Sequence, residues 1–293
     1  MGAQHRILLC IPLPASIFSI SHPTTHRAPA MTTLRAIYRL IVALFLILLA
    51  SLGLVLTAWL PLEIQGVRLS SWTVTWLARS VLRLFGVRVT CTSPQRLRRH
   101  RGLILCNHSS FLDILSLLSI MPVRFLSAAE VGRIWPVGWM ARKLGTVFVD
   151  REAAASRSAA LRHMVRILRS RPYPPLVIFP EGRLDPGDRL LPFRVGTFRL
   201  AVRYRIPLLP CAIRYDRPDA VLWRFRLDEE VLSGVWRILH YSGPYRVQII
   251  PLDVRLPGPQ DDPAGLAEQV RQDLGRVLGL PLAEEDEPLP GQE

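Results

Sequence analysis

Gly102-Leu-Ile-Leu-Cys-Asn-His-Ser-Ser-Phe-Leu-Asp113 sets a short apolar run against a polar turn and then returns to an apolar helical pattern. A run of four or five apolar residues bounded by turn formers reads as a strand buried on both faces. Working outward, the same unit recurs. Val123 to Ser127, Thr146 to Asp150, Leu176 to Phe179 and Leu208 to Ile213 are comparable runs, each followed by turn residues or a helical pattern, and Tyr245 to Leu252 adds one more strand. Between the third and fourth of these runs Leu161, Met164, Val165 and Leu168 recur at helical spacing, with Arg162, Arg166 and Arg169 on the other face. That pattern predicts a crossover helix packed on a sheet. Strands alternating with helices predict an α/β domain with a largely parallel sheet flanked by helices.

Ligands of parallel α/β sheets sit beyond the carboxyl ends of the strands, so the residues that follow each run carry the functional argument. After the first run come His108 and Asp113. Five positions on one continuous helix place two side chains ~140° apart, so the pair meets only if His108 lies in the loop and Asp113 in the first helical turn. Two readings stay open. Ser110 and Asp113 have the spacing of a capping box, and an imidazole oriented by a carboxylate is the machinery for deprotonating a hydroxyl. After the third run stands Asp150-Arg151, and after the fourth Phe179-Pro-Glu-Gly-Arg183. Two arginines at neighbouring strand ends are suited to gripping a phosphate through bidentate charge-assisted bonds, and Gly182 permits a tight turn or a close backbone approach to an anion. The apolar Ile206-Pro-Leu-Leu-Pro210 block either lines an acyl-binding wall or fills the core.

Upstream, Leu40 to Leu60 is uncharged for 21 residues, enough to cross a hydrocarbon layer of ~30 Å. Trp72 to Val89 mixes Trp72 and Trp76 with Arg79, Arg83 and Arg88 and suits the membrane interface. Together they predict an anchoring pair of helices over 31–90, ahead of a catalytic domain over 91–258. Residues 1–30 hold four prolines and no period. Met31-Thr-Thr reads as a natural start; the rival reading is a secretory signal with Arg6 as its basic end, Ile7 to Ile20 as its apolar core and Ala28-Pro-Ala30 as its cleavage site. Beyond Pro257 the chain turns Pro-rich and acidic, and 259–293 is expected to be loosely ordered. Lys+Arg number 37 against 23 Asp+Glu, a net charge of +14, which favours anionic partners. Lys143 is the sole lysine. Four separated cysteines, Cys10, Cys91, Cys106 and Cys211, have no metal-ligand spacing and argue against a zinc site.

With these residues in place, the chain resembles the glycerolipid acyltransferases of the lysophosphatidic acid acyltransferase type. Their NHxSxxD, GxxFxxR, FPEGTR and proline-flanked apolar blocks match Asn107 to Asp113, Gly145 to Arg151, Phe179 to Arg183 and Ile206 to Pro210, in order, and Phe193-Arg-Val-Gly196 resembles their FKxG segment. The resemblance implies acyl transfer from coenzyme A or acyl carrier protein to the free hydroxyl of a lysolipid, with no bound cofactor and no metal. It implies His108 as general base with Asp113 orienting it, Arg151 and Arg183 on the acceptor phosphate, and Glu181 and Gly182 shaping the substrate site. The chemistry needs a base, positioning and an oxyanion-stabilising helix end; a Ser109 or Ser110 acyl-enzyme is not required.

Two departures bear on the acceptor. FPEGTR lacks its threonine, so Arg183 is either the motif arginine shifted by one or a replacement for threonine, with Leu184 in the arginine's place. Where relatives carry lysine in an AKAEV-like stretch, this chain has Ala128. Both weaken the case for a phosphate, and the VFVDR segment also looks like members that acylate lyso-ornithine lipid. Against all of these stands a non-catalytic basic membrane protein that binds lipid or nucleic acid, but no nucleic-acid motif occurs. The implied partners are the bilayer, the lysolipid and the acyl carrier. Arg79, Arg83 and Arg88 outnumber Arg35 and Arg39, which predicts a domain on the cytoplasmic face.

Overall fold

In a computed structural model, residues 29–184, 187–222, 231–241 and 243–284 are described. The N-terminal extension over 1–28, with both readings of it, and the acidic run after Glu284 lie outside them. The chain opens with α1 (Pro29–Ala58), a two-residue hairpin of β1 (Glu63–Ile64) and β2 (Val67–Arg68), and α2 (Leu69–Leu84). Then follow β3 (Val87–Cys91), α3 (Pro94–Arg99), β4 (Leu103–Cys106), α4 (Leu112–Ile120), β5 (Arg124–Ala128), α5 (Ala129–Arg133), α6 (Val137–Lys143) and β6 (Val147–Val149). The remainder is α7 (Ala154–Ser170), β7 (Leu176–Ile178), α8 (Gly196–Tyr204), β8 (Leu208–Tyr215), α9 (Pro218–Val221), α10 (Val231–His240), β9 (Tyr245–Pro251) and α11 (Pro263–Leu278).

Seven strands form one sheet in the order β3-β9-β8-β4-β7-β5-β6, and β8 with β9 is its antiparallel pair. The expected largely parallel α/β sheet is therefore present. Central β4 pairs with β7 on one side and β8 on the other, in the registers Leu103↔Leu176 and Leu103↔Leu208. It is buried over its whole length, which is why its sequence shows no alternation. One face of the sheet packs on α1, α2, α4 and α10, the other on α7, α8 and α11. Met164 and Leu168 of α7 are buried as the helical spacing requires.

The anchoring pair needs correction. Among the described residues one helix is long and apolar enough to cross a membrane, α1 over Met31–Ala58. It buries Ala36, Ala43, Ala50 and Leu54 along one face and exposes Leu34, Ile41, Phe45, Leu48 and Leu52 on the other. Gly53 lets α2 approach closely; a Cβ there would meet Thr73 at 3.5 Å. By contrast, α2 is 16 residues long and buries Val74, Leu77, Ala78, Val81 and Leu82, packing between α1 and α4. Its amphipathic stripe serves the protein core. The apolar stretch read through Val89 also breaks earlier: Gly86 turns at φ +76°, and β3 begins the sheet edge. Within 259–284 the expectation of a loose tail is corrected as well. Asp262 caps α11 by accepting the N–H groups of Ala264 and Gly265, and Leu266, Val270 and Leu274 pack into the second core.

Candidate active site

Where β4 ends, backbone pairing to β8 is continued by a side chain. The Asn107 amide donates to the Ile213 carbonyl at 3.0 Å and accepts its N–H at 2.8 Å, which fixes the path of the following loop. His108 comes next, its own N–H donating to Glu181 Oε1 at 2.9 Å. Its Nδ1 lies 2.9 Å from Asp113 Oδ2. The same carboxylate oxygen accepts the N–H groups of Ser109 and Ser110, each at 2.9 Å, and Oδ1 accepts the Tyr215 hydroxyl. Ser110 Oγ in turn accepts the N–H of Leu112 at 3.3 Å.

Capping and chemistry are thus two functions of one carboxylate. A fully buried Asp113 facing four donors acts as an acceptor at every contact, so the proton of the Nδ1 contact belongs to His108, an arrangement that in the neutral ring leaves the lone pair on Nε2. Phe179 stacks on the imidazole at 3.9 Å between centroids and 15° between planes, holding the ring from its face. Burial, and then the Asp113 charge, push the Tyr215 hydroxyl well above its ordinary pKa, so it stays a neutral donor.

His108, Arg151, Gly182 and Arg183 line one cavity of about 530 Å³ at the carboxyl ends of the strands. Ile114, Leu126, Val131, Leu161 and Met164 supply its apolar wall, and Arg157 and Arg194 add two cations. Asp150 builds the turn that presents Arg151: its Oδ1 accepts the N–H of Glu152 at 3.0 Å, while Arg157 donates to the carbonyls of Arg151 and Glu152 at 2.6 and 2.9 Å. Burial first, and then the neighbouring Arg194, hold the Arg151 guanidinium below the usual arginine pKa, with Glu130 opposing. A site that gathers like charges in this way favours an anionic guest. Gly182 turns at φ +77°, and a Cβ there would stand 2.4 Å from Arg194 Nε, so glycine is what lets that arginine pass.

Some expectations change. Glu181 is buried, 3% exposed. Its carboxylate is committed to the N–H of His108 and, at 3.4 Å, of Leu191; it positions the loop and is absent from the cavity wall. The helix end offers no oxyanion donor at Ser109, Ser110, Leu112 or Asp113, whose N–H groups are all spent. Ser110 Oγ donates to the Val221 carbonyl, away from a nucleophile's role. Ile206, Leu208 and Leu209 are buried in the two cores, so that block fills the interior and does not line an acyl wall. Tyr215 and Asn107 were not singled out for chemistry, and Arg194 only as part of the segment resembling FKxG.

The Acyltransferase family matches residues 88–214. A lyso-ornithine lipid O-acyltransferase of Pseudomonas aeruginosa is 36% identical over 245 residues, covering 78% of this chain and 89% of that protein. This chain belongs to the acyltransferase family. A 1-acyl-sn-glycerol-3-phosphate acyltransferase beta of Homo sapiens is 33% identical to the acyltransferase over 142 residues, covering 47% of this chain and 50% of that one. The crystal structure of the 1-acyl-sn-glycerophosphate acyltransferase PlsC from Thermotoga maritima shares the fold, with a TM-score of 0.63 over 85% of this chain and 95% of that chain at 18% identity.

Proposed function

We propose that this acyltransferase moves an acyl group from a thioester of coenzyme A or acyl carrier protein to the free hydroxyl of a lysolipid, converting 1-acylglycerol-3-phosphate to phosphatidic acid. The observation that carries the reading is an imidazole, oriented by a buried carboxylate, on the wall of a cavity that joins arginines to an apolar surface. His108 Nε2 takes the hydroxyl proton as the oxygen attacks the thioester carbonyl. The C–S bond then breaks, and the imidazolium returns its proton to the departing thiolate. Asp113 stabilises the intervening imidazolium and never leaves its carboxylate state. Arg151 and Arg194 hold the acceptor's anionic head group, with Arg183 beside them. Purified protein should release thiol from acyl-CoA only when lysophosphatidic acid is added, and a folded His108→Ala variant should lose ~10²–10⁴ in rate. Near-normal turnover of that variant sinks the mechanism.

A second acceptor, lyso-ornithine lipid, is favoured by a specific observation: the Pseudomonas relative with that printed activity aligns over 89% of its length, and this chain carries Ala128 where a cation was expected. Comparing phosphate-bearing with phosphate-free lysolipids separates the two. The apolar outer face of α1 attaches the enzyme to the bilayer, with the catalytic domain on the cytoplasmic side, where acyl thioesters are made. The charge count behind that orientation keeps its excess of one, because Arg39 upstream and Arg79 downstream both donate to carbonyls of the protein, those of Leu239 and Ser119. Right-side-out vesicles should protect the domain from added protease; cleavage from outside reverses the topology.

A further inference from the structure

A second cavity, of about 720 Å³, lies at the opposite ends of the strands. Its strand-flanking residues precede their strands: Arg101 stands before β4, Arg124 opens β5, Gly145 lies before β6, and Tyr173 and Pro174 lie before β7. The catalytic residues all follow theirs. Six cations line it, Arg68, Arg101, Arg124, Arg142, Lys143 and Arg171, against one carboxylate, Glu63. None of these seven is in an ion pair among the described residues.

The pocket is built as well as charged. Arg124 is 5% exposed; it donates to the carbonyls of Arg171, at 2.7 Å, and Pro174, and its Nε has no hydrogen-bond partner. Gly145 makes room for it, since a Cβ there would stand 3.2 Å from Arg124 Cδ. Burial, and then Arg171, lower the Arg124 pKa to about 10. Arg101 is held over the Tyr173 ring at 4.7 Å, and Arg142 donates to the Gly132 carbonyl at 2.6 Å. Holding like charges together costs free energy that a bound anion offsets. The rim points to the source of that anion. Glu63 and Arg68 belong to the hairpin that follows the apolar α1, and Trp59, Leu62 and Ile64 beside them are 76%, 54% and 46% exposed. Exposed Trp and Leu next to arginine and lysine make an interfacial composition.

We infer that this pocket is a second lipid site, separate from the catalytic cavity, that holds the headgroup phosphate of an anionic phospholipid against the cations of the β1–β2 hairpin and the leading ends of β4, β5 and β7.

Lys143 is the sole lysine, so its ε-amine is a built-in reporter. Full-length protein in phosphatidylcholine nanodiscs, with or without phosphatidylglycerol, is treated with an amine-acetylating reagent, and modification of Lys143 is read by mass spectrometry. Phosphatidylglycerol should slow it about tenfold where the lipid stands ~10-fold above its Kd, less so as salt rises. His108→Ala should show the same protection, which keeps this result independent of the proposed catalytic mechanism. An Arg101→Glu/Arg171→Glu variant with wild-type turnover in detergent should lose it. Equal rates in the two discs overturn the proposal. So does a slowing that survives the charge reversals, which would report a general surface effect, and so does equal protection by inorganic phosphate in phosphatidylcholine discs, which would assign the pocket to a soluble phosphate.

Discussion

Replacing Asp113 with asparagine tests the double use of this carboxylate. Four donors converge on it, from His108, Ser109, Ser110 and Tyr215. An amide offers one acceptor oxygen, with two lone pairs, and turns its nitrogen, itself a donor, toward the remaining groups. With that oxygen in the place of Oδ2 the three donors of His108, Ser109 and Ser110 keep an acceptor, now neutral, while the Tyr215 hydroxyl faces the amide nitrogen and loses its own. Losing one bond to a charged group costs ~1.5–3 kcal/mol and neutralising the acceptor of three others ~0.5–1 kcal/mol each, so Asp113→Asn should cost about 3–6 kcal/mol of stability, a drop in apparent Tm of roughly 6–24 °C at 2–4 °C per kcal/mol. The sequence alone favours a different expectation, a folded but inactive protein. His108→Ala, by comparison, removes one donor and leaves three, at ~1.5–3 kcal/mol or less, while abolishing the base. Thermal melts in detergent beside thiol release from acyl-CoA therefore separate the two variants: one loses activity, the other activity and stability together. An Asp113→Asn protein with a wild-type melt would refute the four-donor argument, and one with wild-type turnover would refute the dyad.

Gly182→Ala should raise the acceptor KM while leaving the acyl-CoA KM near normal, because its Cβ displaces Arg194; a normal acceptor KM would remove Arg194 from the site. Arg151→Ala should cost ~1.5–3 kcal/mol of acceptor binding, ten- to a hundredfold in KM, and Arg151→Lys should recover only part, since an ammonium lacks the planar fork. Arg183→Ala, measured beside it, decides whether that residue serves as the motif arginine. Because the folded Tyr215 pKa lies above the ordinary 10.0, the unfolded chain releases this proton first, and stability falls as pH rises through ~10. Tyr215→Phe should unfold less steeply with alkali by denaturant titration, and an unchanged slope would contradict the bond to Asp113.

Much of this arrangement was legible in the chain. Apolar runs of four or five residues located the central strands, because strands buried on both faces leave no polar position to confuse the pattern, and position after a strand end singled out His108, Arg151 and Gly182. Other parts depended on tertiary packing. Amphipathicity in α2 does not say whether its apolar stripe meets lipid or α4, and its Trp and Arg residues fit either. Tyr215 reaches Asp113 only because β8 lies beside β4, an adjacency between residues 102 positions apart that no local pattern encodes. The family resemblance implies that Glu181 shapes the substrate site, but nothing local in the sequence encodes the two backbone N–H groups, of His108 and Leu191, that take its carboxylate. The order of α11 went unread because Pro and acidic residues dominate the composition there, although Asp262-Pro263 is also a good helix start.

The loop of residues 179–182 supplies the ring that covers the imidazole, the carboxylate that ties down His108, and the glycine that admits Arg194. Such overlap limits evolvability. A change there that retunes the acceptor also disturbs the base, whereas Ser127 and Ala128 of β5 and Arg151 after β6 line the same cavity from outside that loop. Substitutions at those three positions are the ones by which an enzyme of this design can change its acceptor while its proton-transfer apparatus stays fixed.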